Sequence, residues 1–460
     1  MSGLTSTSAV RLAEAVGRGE VSATESVAAH LEAIGDDPLN AFTLVDGDRA
    51  LQRAADLDAS LATGADPGPL AGVPVALKDL IDHAGRPTTC GSGFYREVPD
   101  RSATVVARIE AAGGVVIGRT GLHEFAFGFS SENDWFGPVR NPWDPATSPG
   151  GSSGGSAVAV AAGCTPLAVG TDTGGSVRVP AALGGIAGLK VTHGRIPLRG
   201  VFPLAASLDT VGPLARSAAD LGLLYRVMAG DDPRDPWSSP RPVDEDAAGL
   251  AGLRVGVPAE WIDTSMDAET RAGFTSALDA MAEAGARVTT VSEPLLVPDR
   301  MITESFRPEV AAVHRRWYPA DPSRYGPAVR DRLGPMFDGD PDQYQAALAW
   351  RSALRGAFGR LFASCDVLAT PTVAARRKVI GEPTAETEQG PVPYRAAFSR
   401  FTALVNHAGL PAVALPLAAE GAPPPSLHLI GPAWSECRLL SLGAALEAAG
   451  IVAGRSPVRP

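Results

Sequence analysis

The chain has 460 residues, 45% of them hydrophobic, which is long and apolar enough to bury a large core. Its formal net charge of -11 is spread in mixed sign without a basic block, so nucleic acid and anionic membrane surfaces are poor candidates for a partner. No apolar run approaches the roughly 20 residues that span a bilayer, and the start of the chain lacks the basic and apolar regions of a signal peptide. We therefore expect a cytoplasmic protein.

The predicted elements change in character along the chain. Residues 1–60 have the apolar spacing of helices, and Ser22 with Glu25 forms a capping box that predicts a helix over 23–34. Further on, the pattern SATVVARIEAAGG predicts a helix capped by Ser102. Helical patterns alternate there with strand-like runs, namely GVPVALKD, GGVVIGRT, PLAVGTD, GLRVGVP, ARVTTVS, CDVLATPT, PAVALPL and SLHLIGP. This alternation predicts an α/β protein with a mostly parallel or mixed sheet.

We expect one compact domain. Residues 66–455 form its body, and the helical segment 1–65 packs on its core. The stretches 230–249, 300–345 and 376–393 are expected to be surface excursions, long enough to cover a functional site. Cysteine spacing indicates neither a zinc site nor a disulfide framework, so we expect four buried thiols at Cys90, Cys164, Cys365 and Cys437.

Two glycine–serine motifs, GGSSGGS at 150–156 and GTDTGGS at 170–176, raise the question of serine chemistry. The first runs directly into the apolar segment AVAVAAG, which is not typical of a flexible linker, and neither motif has the pattern of a phosphate-binding loop. The first motif also satisfies GxSxG, which would make Ser153 the nucleophile of a hydrolase elbow. That elbow needs a strand just before it, and NPWDPATSPG does not predict one.

The second motif offers Ser176 as an alternative nucleophile, because DTGGS follows the predicted strand PLAVG. Gly174 and Gly175 let successive backbone N–H groups turn toward one point, where they could hold an oxyanion. A serine nucleophile needs a base, and none of the seven dispersed histidines is an obvious one.

The composition suggests a lysine as that base. Of 40 basic residues only three are lysines, Lys78, Lys190 and Lys378, and the other 37 are arginines. An arginine does not give up its proton in a protein, whereas burial can lower the pKa of a lysine toward neutrality. Lys78 ends the apolar run GVPVALKD, where burial would have that effect.

Five segments follow, in order, the pattern of a known family. They are PLAGVPVALKDLID, HEFAFGFSSENDWFGPVRNPWD, SPGGSSGGSAVAVAAG, GTDTGGSVRVPAALGGIAGLKVTHGR and SLDTVGPLAR. Over residues 8–450 the chain thereby resembles the amidase signature hydrolases of the free-standing bacterial amidase type. The resemblance implies an α/β/α sandwich around a mixed, twisted sheet of about eleven strands.

The resemblance also implies a Ser-cisSer-Lys triad. In it Ser176 is the nucleophile, Ser152 the bridging serine after a cis Gly151–Ser152 peptide, and Lys78 the base. The implied oxyanion hole consists of the backbone N–H groups of Thr173, Gly174, Gly175 and Ser176. Ser153 and Asp172 would support the loops. The implied acyl pocket is lined by Ala126, Phe127, Gly128 and Phe129.

The function that this resemblance implies is hydrolysis of the C–N bond of small aryl or alkyl amides through an acyl-enzyme, with esters and carbamates as further candidates. No cofactor and no metal are expected, the partners are the substrate and water, and the protein is a monomer or homodimer. Two alternatives stay open: the glutaminase (A-type) subunit of a tRNA-dependent amidotransferase, and an allophanate or carboxybiuret hydrolase. Six aromatic residues are candidates for an apolar pocket: Phe127, Phe129, Trp135, Phe202, Trp317 and Tyr318.

Overall fold

A computed structural model describes residues 3–419 and 422–454. Within these ranges eleven strands form one mixed sheet, and two more form a separate hairpin. The strands are β1 (Phe42–Val45), β2 (Pro74–Lys78), β3 (Val115–Thr120), β4 (Leu167–Asp172), β5 (Ala187–Lys190), β6 (Thr210–Ala215), β7 (Arg254–Pro258), β8 (Arg287–Val291), β9 (Val367–Pro371), β10 (Thr384–Thr387), β11 (Gly390–Pro393), β12 (Ala412–Pro416) and β13 (Ser426–Ile430).

The order of strands across the sheet is β1-β3-β2-β4-β6-β5-β12-β13-β9-β7-β8. β2 lies between β3 and β4 and runs parallel to both, whereas β4 and β6 are antiparallel. The carboxyl ends of β2 and β4 therefore meet at one edge of the sheet, which is the edge where open α/β sheets bind ligands. The predicted mixed sheet in one α/β domain is confirmed.

Helices cover both faces of this sheet. They are α1 (Ala9–Gly17), α2 (Ala23–Ile34), α3 (Gly47–Ala62), α4 (Thr104–Ala111), α5 (Gly154–Ala161), α6 (Arg178–Gly184), α7 (Ala218–Met228), α8 (Ala259–Ile262), α9 (Ala268–Glu283), α10 (Met301–Glu304), α11 (Arg307–His314), α12 (Pro327–Leu333), α13 (Pro341–Ser364), α14 (Tyr394–Ser399), α15 (Ala403–Ala408) and α16 (Glu436–Ala448). No helix among the described residues is both long and apolar enough to cross a membrane.

Local signals predict some helix starts and not others. α2 begins at Ala23 with both hydrogen bonds of the Ser22–Glu25 capping box. The expectation that Ser102 caps the next predicted helix is wrong: α4 begins at Thr104 after Ala103, which has no side-chain cap. The Ser102 hydroxyl instead accepts a hydrogen bond from the Ala84 N–H at 3.1 Å. A tertiary contact has replaced the local one.

The first 65 residues are not entirely helical, although their apolar spacing predicts helices. β1 pairs antiparallel with β3 at the edge of the large sheet. Its sequence FTLV is short but rich in β-formers, and the helical spacing on either side conceals it. This segment thus contributes a strand to the sheet as well as helices. The division at residue 65 stays a prediction, and the predicted domain end at 455 lies outside the described residues.

The three excursions differ in structure. Residues 230–249 form neither helix nor strand, and residues 300–345 are mostly short helices. The stretch 376–393 contains the small hairpin of β10 and β11. All four cysteines are buried, as expected.

Candidate active site

Lys78 is the last residue of β2, and its side chain is fully buried. Its Nζ donates hydrogen bonds to Ser152 Oγ at 2.7 Å and to Thr171 Oγ1 at 2.8 Å. Burial lowers the pKa of Lys78 to about 7, and attraction by Asp172 and Asp209 offsets only part of that effect. Close to neutral pH, a substantial fraction of this amine is therefore unprotonated and able to accept a proton.

The loop that carries Ser152 leads into α5. Its Gly151–Ser152 peptide bond is cis. The Ser152 carbonyl accepts hydrogen bonds from the His123 N–H at 3.3 Å and from the Ser131 hydroxyl at 3.2 Å. The Ser131 hydroxyl also accepts from the Gly154 N–H at 3.0 Å. These hydrogen bonds fix the main chain of the loop at Ser152 and at Gly154, with the Ser152 hydroxyl beside Lys78.

Ser153 occupies a different position from its neighbour. Its hydroxyl donates to the Thr171 carbonyl and accepts from the Thr171 N–H, both at 3.2 Å, and the side chain is fully buried beneath β4. A Cβ at Gly170 would lie 2.8 Å from Ser153 Oγ, so this contact depends on a glycine in the strand. Ser153 therefore supports β4, and the elbow alternative with Ser153 as nucleophile does not fit.

The loop Thr173–Ser176 follows β4 directly. Asp172 holds it by accepting hydrogen bonds from the N–H groups of Gly175 at 2.8 Å and Val177 at 3.1 Å. Within the described part of the chain, the N–H groups of Thr173, Gly174 and Ser176 have no acceptor. Of the four N–H groups expected to form an oxyanion hole, three are therefore open to a ligand, and that of Gly175 is bound by Asp172.

Asp172 is itself fixed by a cation and an amide. The Arg178 guanidinium donates to both its oxygens, at 2.9 and 3.0 Å, and the Asn406 amide donates to one at 2.8 Å. Burial acts to raise the pKa of Asp172, but attraction by Arg178 and these hydrogen bonds outweigh it, so the pKa lies well below its usual range. The carboxylate that holds the loop is therefore ionised.

A cavity of about 190 Å³ opens beside this loop. Thr173, Gly174 and Ser176 line one side, and the predicted segment from Ala126 to Phe129 lines another. The remaining walls come from Leu204, from the excursion 300–345 and from α14 and α15. This volume is below the range of roughly 300–1,000 Å³ that holds drug-sized ligands, which indicates a small substrate.

Two of the six candidate aromatics, Phe127 and Phe129, line this cavity, together with Phe306 from the excursion. The other four do not. Trp135 lies at the surface with 45% of its area exposed. Phe202, Trp317 and Tyr318 instead belong to an aromatic cluster around Phe125 and Tyr325. Sequence spacing does not distinguish these packing residues from cavity residues.

Arg332 and Arg395 are the charged residues that line the cavity, and no carboxylate is among its described lining residues. Arg332 donates to the Phe127 carbonyl and lies over the Phe127 ring, and Arg395 donates to Tyr394 Oη at 3.3 Å. Burial and repulsion by Arg395 lower the pKa of Arg332 to about 9, which leaves it cationic at neutral pH. Burial lowers the pKa of His407, also in the wall, to about 4, so this histidine is neutral.

Neither arginine stands out in the sequence, because 37 of the 40 basic residues are arginine and nothing singles these two out. Lys78, Ser152 and the loop that ends at Ser176 do stand out, since each lies in a distinctive motif. The structure places all of these at the same edge of the sheet, and it brings Lys78 and Ser152 into direct contact.

Comparisons with known proteins agree with this arrangement. The family model described as Amidase matches residues 23–440. The A-type subunit of the glutamyl-tRNA(Gln) amidotransferase of Anaeromyxobacter dehalogenans (strain 2CP-C) is 40% identical over 462 residues, which cover 93% of this chain and 93% of the relative.

Solved structures give the same family. One, described as "An unexpected vestigial protein complex reveals the evolutionary origins of an s-triazine catabolic enzyme", has a TM-score of 0.91 and 34% identity and covers 98% of this chain and 100% of its own. A bacterial aryl acylamidase of the amidase signature family has a TM-score of 0.87 and 26% identity, with 96% of each chain covered. The chain therefore belongs to the amidase signature family and is an enzyme that hydrolyses C–N bonds of amides.

Proposed function

We propose that this enzyme hydrolyses a small amide that carries a carboxylate and no ammonium group, as an allophanate- or carboxybiuret-type hydrolase does. The observation that carries the proposal is the charge of the cavity: Arg332 and Arg395 line it without any carboxylate among the described lining residues to pair with them. A bound carboxylate would supply the missing partner, and guanidinium groups are the side chains best suited to it.

The proposed chemistry uses Ser176 as the nucleophile. Neutral Lys78 takes a proton from the Ser152 hydroxyl as Ser152 takes one from Ser176, and Ser176 Oγ forms a bond to the amide carbon. The carbonyl oxygen becomes an oxyanion, which faces the open N–H groups of Thr173, Gly174 and Ser176. The 2.7 Å hydrogen bond from Lys78 to Ser152 and the lowered pKa of Lys78 support this relay.

Collapse of the tetrahedral intermediate breaks the C–N bond. The leaving nitrogen receives the proton through Ser152 and departs as ammonia or an amine. Water then attacks the acyl-enzyme and gives up a proton to Lys78 through Ser152. The C–O bond to Ser176 breaks as the same relay returns that proton to Ser176 Oγ, which restores the neutral lysine. The overall products are the carboxylic acid and the amine, so no further reactant is needed.

A second candidate is the glutaminase activity of an amidotransferase A-type subunit. The identity of 40% to such a subunit favours it, and glutamine also carries a carboxylate. Glutamine differs by its ammonium group, for which the described cavity wall offers no carboxylate. Neutral aryl and alkyl amides, the main expectation from the sequence, fit less well because they would leave both arginines unpaired. Hydrolysis of esters or carbamates and a monomeric or homodimeric state stay predictions.

Three amides of nearly equal length test these candidates. Glutaramate has the carboxylate alone, glutamine has the carboxylate and the ammonium, and pentanamide has neither. Ammonia release by the purified full-length chain is measured for each, with Ser176→Ala as the control for the nucleophile.

We expect kcat/KM for glutaramate to exceed that for pentanamide by about 100-fold or more, since an unpaired buried charge is costly. Of the two substrates that carry a carboxylate, glutamine should have a lower kcat/KM than glutaramate. A preference for pentanamide would contradict the proposal, and a preference for glutamine would favour the glutaminase. If Ser176→Ala keeps full activity, the proposed nucleophile is wrong.

A further inference from the structure

Each of the three lysines of this chain is buried, but only Lys78 has a place in the proposed chemistry. Lys190 donates to the carbonyls of Val191 and Leu410, both at 2.8 Å, and so joins two chain segments. Among the described residues, the Lys378 side chain makes no such link to a backbone carbonyl. Its ammonium group contacts Glu132, next to the Ser131 that supports Ser152, and the ring of Tyr394, next to Arg395.

We propose that Glu132, Lys378 and Tyr394 are positioning residues that hold Arg395 in place to receive the carboxylate of the substrate. This inference rests on the proposed function, because it assigns the origin of specificity in that same cavity.

The first contact of this chain of residues is an ion pair. Lys378 Nζ is paired with a carboxylate oxygen of Glu132, and 2% of the lysine side chain is exposed. The other oxygen of Glu132 accepts a hydrogen bond from the Gly381 N–H at 2.9 Å. Glu132 therefore holds the excursion 376–393 at two points, and a buried charge paired in this way is costly to break.

Backbone contacts fix the same stretch of the excursion. The Lys378 carbonyl accepts from the Ser148 N–H at 2.9 Å, and the Ile380 N–H donates to the Ala146 carbonyl at 3.0 Å. The main chain around Lys378 thus lies against the segment that leads into the Ser152 loop. These backbone hydrogen bonds hold the main chain at Lys378 without its side chain. The ammonium group therefore contributes through its own contacts, which are with Glu132 and Tyr394.

The second contact is with an aromatic ring. Lys378 Nζ lies 4.9 Å from the centroid of the Tyr394 ring, which is within the range of a cation–π interaction. The Arg395 guanidinium carbon lies 5.7 Å from the same centroid. Arg395 Nε also donates to Tyr394 Oη at 3.3 Å. The tyrosine is therefore held by Lys378 and in turn restrains the arginine that lines the cavity.

Lysine suits this position better than arginine. An ammonium group is compact and can contact one carboxylate and one ring face together, whereas a planar guanidinium would direct its donors elsewhere. In a chain with 37 arginines and three lysines, this is a physical reason for a lysine at 378.

The test is the kinetics of Lys378→Met, Tyr394→Phe and Arg395→Met with glutaramate and pentanamide as probes. Arg377→Met is the matched control. It lies one residue from Lys378 in the chain and removes the exposed ion pair between Arg377 and Asp144. Arg395→Met removes the guanidinium that meets the carboxylate. Tyr394→Phe keeps the ring for Lys378 and removes only the hydroxyl, so it reports on Arg395 even if Lys378→Met folds poorly. Thermal melting establishes which variants fold.

We expect Lys378→Met and Tyr394→Phe to raise KM for glutaramate by about 5- to 20-fold, because indirect couplings of this kind are weaker than a direct ion pair. In these two variants the kcat for glutaramate and the kcat/KM for pentanamide should stay within about twofold of the wild type. In Arg377→Met the kinetic constants for both substrates should stay within about twofold of the wild type. In an Arg395→Met background, Lys378→Met should have no further effect on KM.

The outcomes separate the inference from the function on which it rests. If the wild type does not prefer glutaramate to pentanamide, the proposed function fails. If it does, and Arg395→Met loses the preference while Lys378→Met and Tyr394→Phe keep it, the positioning role alone is wrong. An equal loss of activity toward both substrates, or an additive effect with Arg395→Met, would also overturn it, since either result indicates a merely structural lysine.

Discussion

Lys78 Nζ and Ser152 Oγ lie 2.7 Å apart at the end of β2, and no part of the lysine side chain is exposed. The same burial that lowers the pKa of this amine also removes water as a competing partner, so its hydrogen bonds go to Ser152 and Thr171. A hydrolase usually pairs its serine with histidine. In the proposed chemistry the base is a lysine at the end of a strand, because the parallel strands β2 and β4 bring Lys78 and Thr171 to the same edge.

Replacing Lys78 by arginine tests whether this residue works as a base or only as a positive charge. Arginine keeps the charge but has a pKa too high to accept a proton from Ser152. We expect kcat for glutaramate to fall by about 1,000-fold or more, at the upper end of what a general base contributes. Ammonia release measures this effect, with thermal melting to establish folding. A folded Lys78→Arg enzyme that keeps a tenth of its activity would contradict the proposed base.

The pH dependence follows from the pKa of Lys78, which is lowered to about 7. In the proposed mechanism the neutral amine is the active form, and it becomes protonated as the pH falls through 7. We therefore expect kcat/KM to fall about tenfold per unit below pH 7 and to level off above it, up to the pH of about 9 at which Arg332 begins to lose its proton. The carboxylate of glutaramate has an ordinary pKa near 4 and does not titrate in this range. A profile that stays flat down to about pH 5, with chemistry rate-limiting, is the result that a neutral lysine cannot produce.

Two adjacent glycines of the loop Thr173–Ser176 should respond differently to alanine. Gly175 has φ +138°, and a Cβ there would lie 3.0 Å from both Thr402 Cβ and Val179 Cγ2. Gly174 has no such φ, and its Cβ would meet only the Phe129 ring at 3.4 Å. Gly175→Ala should therefore destabilise the fold by about 2 kcal/mol or more, and Gly174→Ala by less than about 1 kcal/mol.

Thermal and denaturant unfolding of the two variants measures this difference. Gly174→Ala serves as the matched control, since it adds the same methyl group one residue away. Equal stability of the two variants would mean that the loop relaxes around a side chain at 175, and the rigid nest beside Ser176 would then be in doubt.

How much of this molecule could be predicted depended on how local its determinants are. Lys78 and the loops of Ser152 and Ser176 stand in contiguous motifs, and the resemblance of these motifs to the amidase signature family, not their spacing, implied that they lie together. β1 could not be predicted, because four residues between helical patterns carry little signal until β3 is beside them. The hydrogen bond from Ala84 to Ser102 could not be predicted either, because a local capping pattern says nothing about a partner outside the helix.

The cavity charges were the least predictable feature. Arg332 comes from the excursion 300–345 and Arg395 from the start of α14, and only the tertiary fold brings both into the wall of the cavity that Ser176 also lines. Nothing in the local sequence of either distinguishes it from the other arginines. The machinery of bond cleavage could thus be proposed from the sequence, whereas the arginines proposed to select the substrate could be identified only in the folded chain.

A single substitution in the cavity wall should shift the preference of the enzyme from glutaramate toward glutamine. Ser399 lines the cavity on α14, four residues after Arg395, and its hydroxyl donates to the Arg395 carbonyl at 2.8 Å. Residues spaced by four lie on the same face of a helix. A carboxylate in place of this hydroxyl would neutralise part of the positive field of Arg395 and would offer a partner to the ammonium group of glutamine.

We therefore expect Ser399→Asp to lower kcat/KM for glutaramate by about tenfold and to raise that for glutamine, since opposite charges set specificity by attraction and repulsion together. Ser399→Asn is the matched control: it has the same shape without the charge and should leave the ratio of the two substrates within about threefold of the wild type. Competition between glutaramate and glutamine in one assay measures this ratio directly. If Asp and Asn at 399 change it equally, size governs the cavity wall at this position, and the absence of a carboxylate is not what disfavours glutamine.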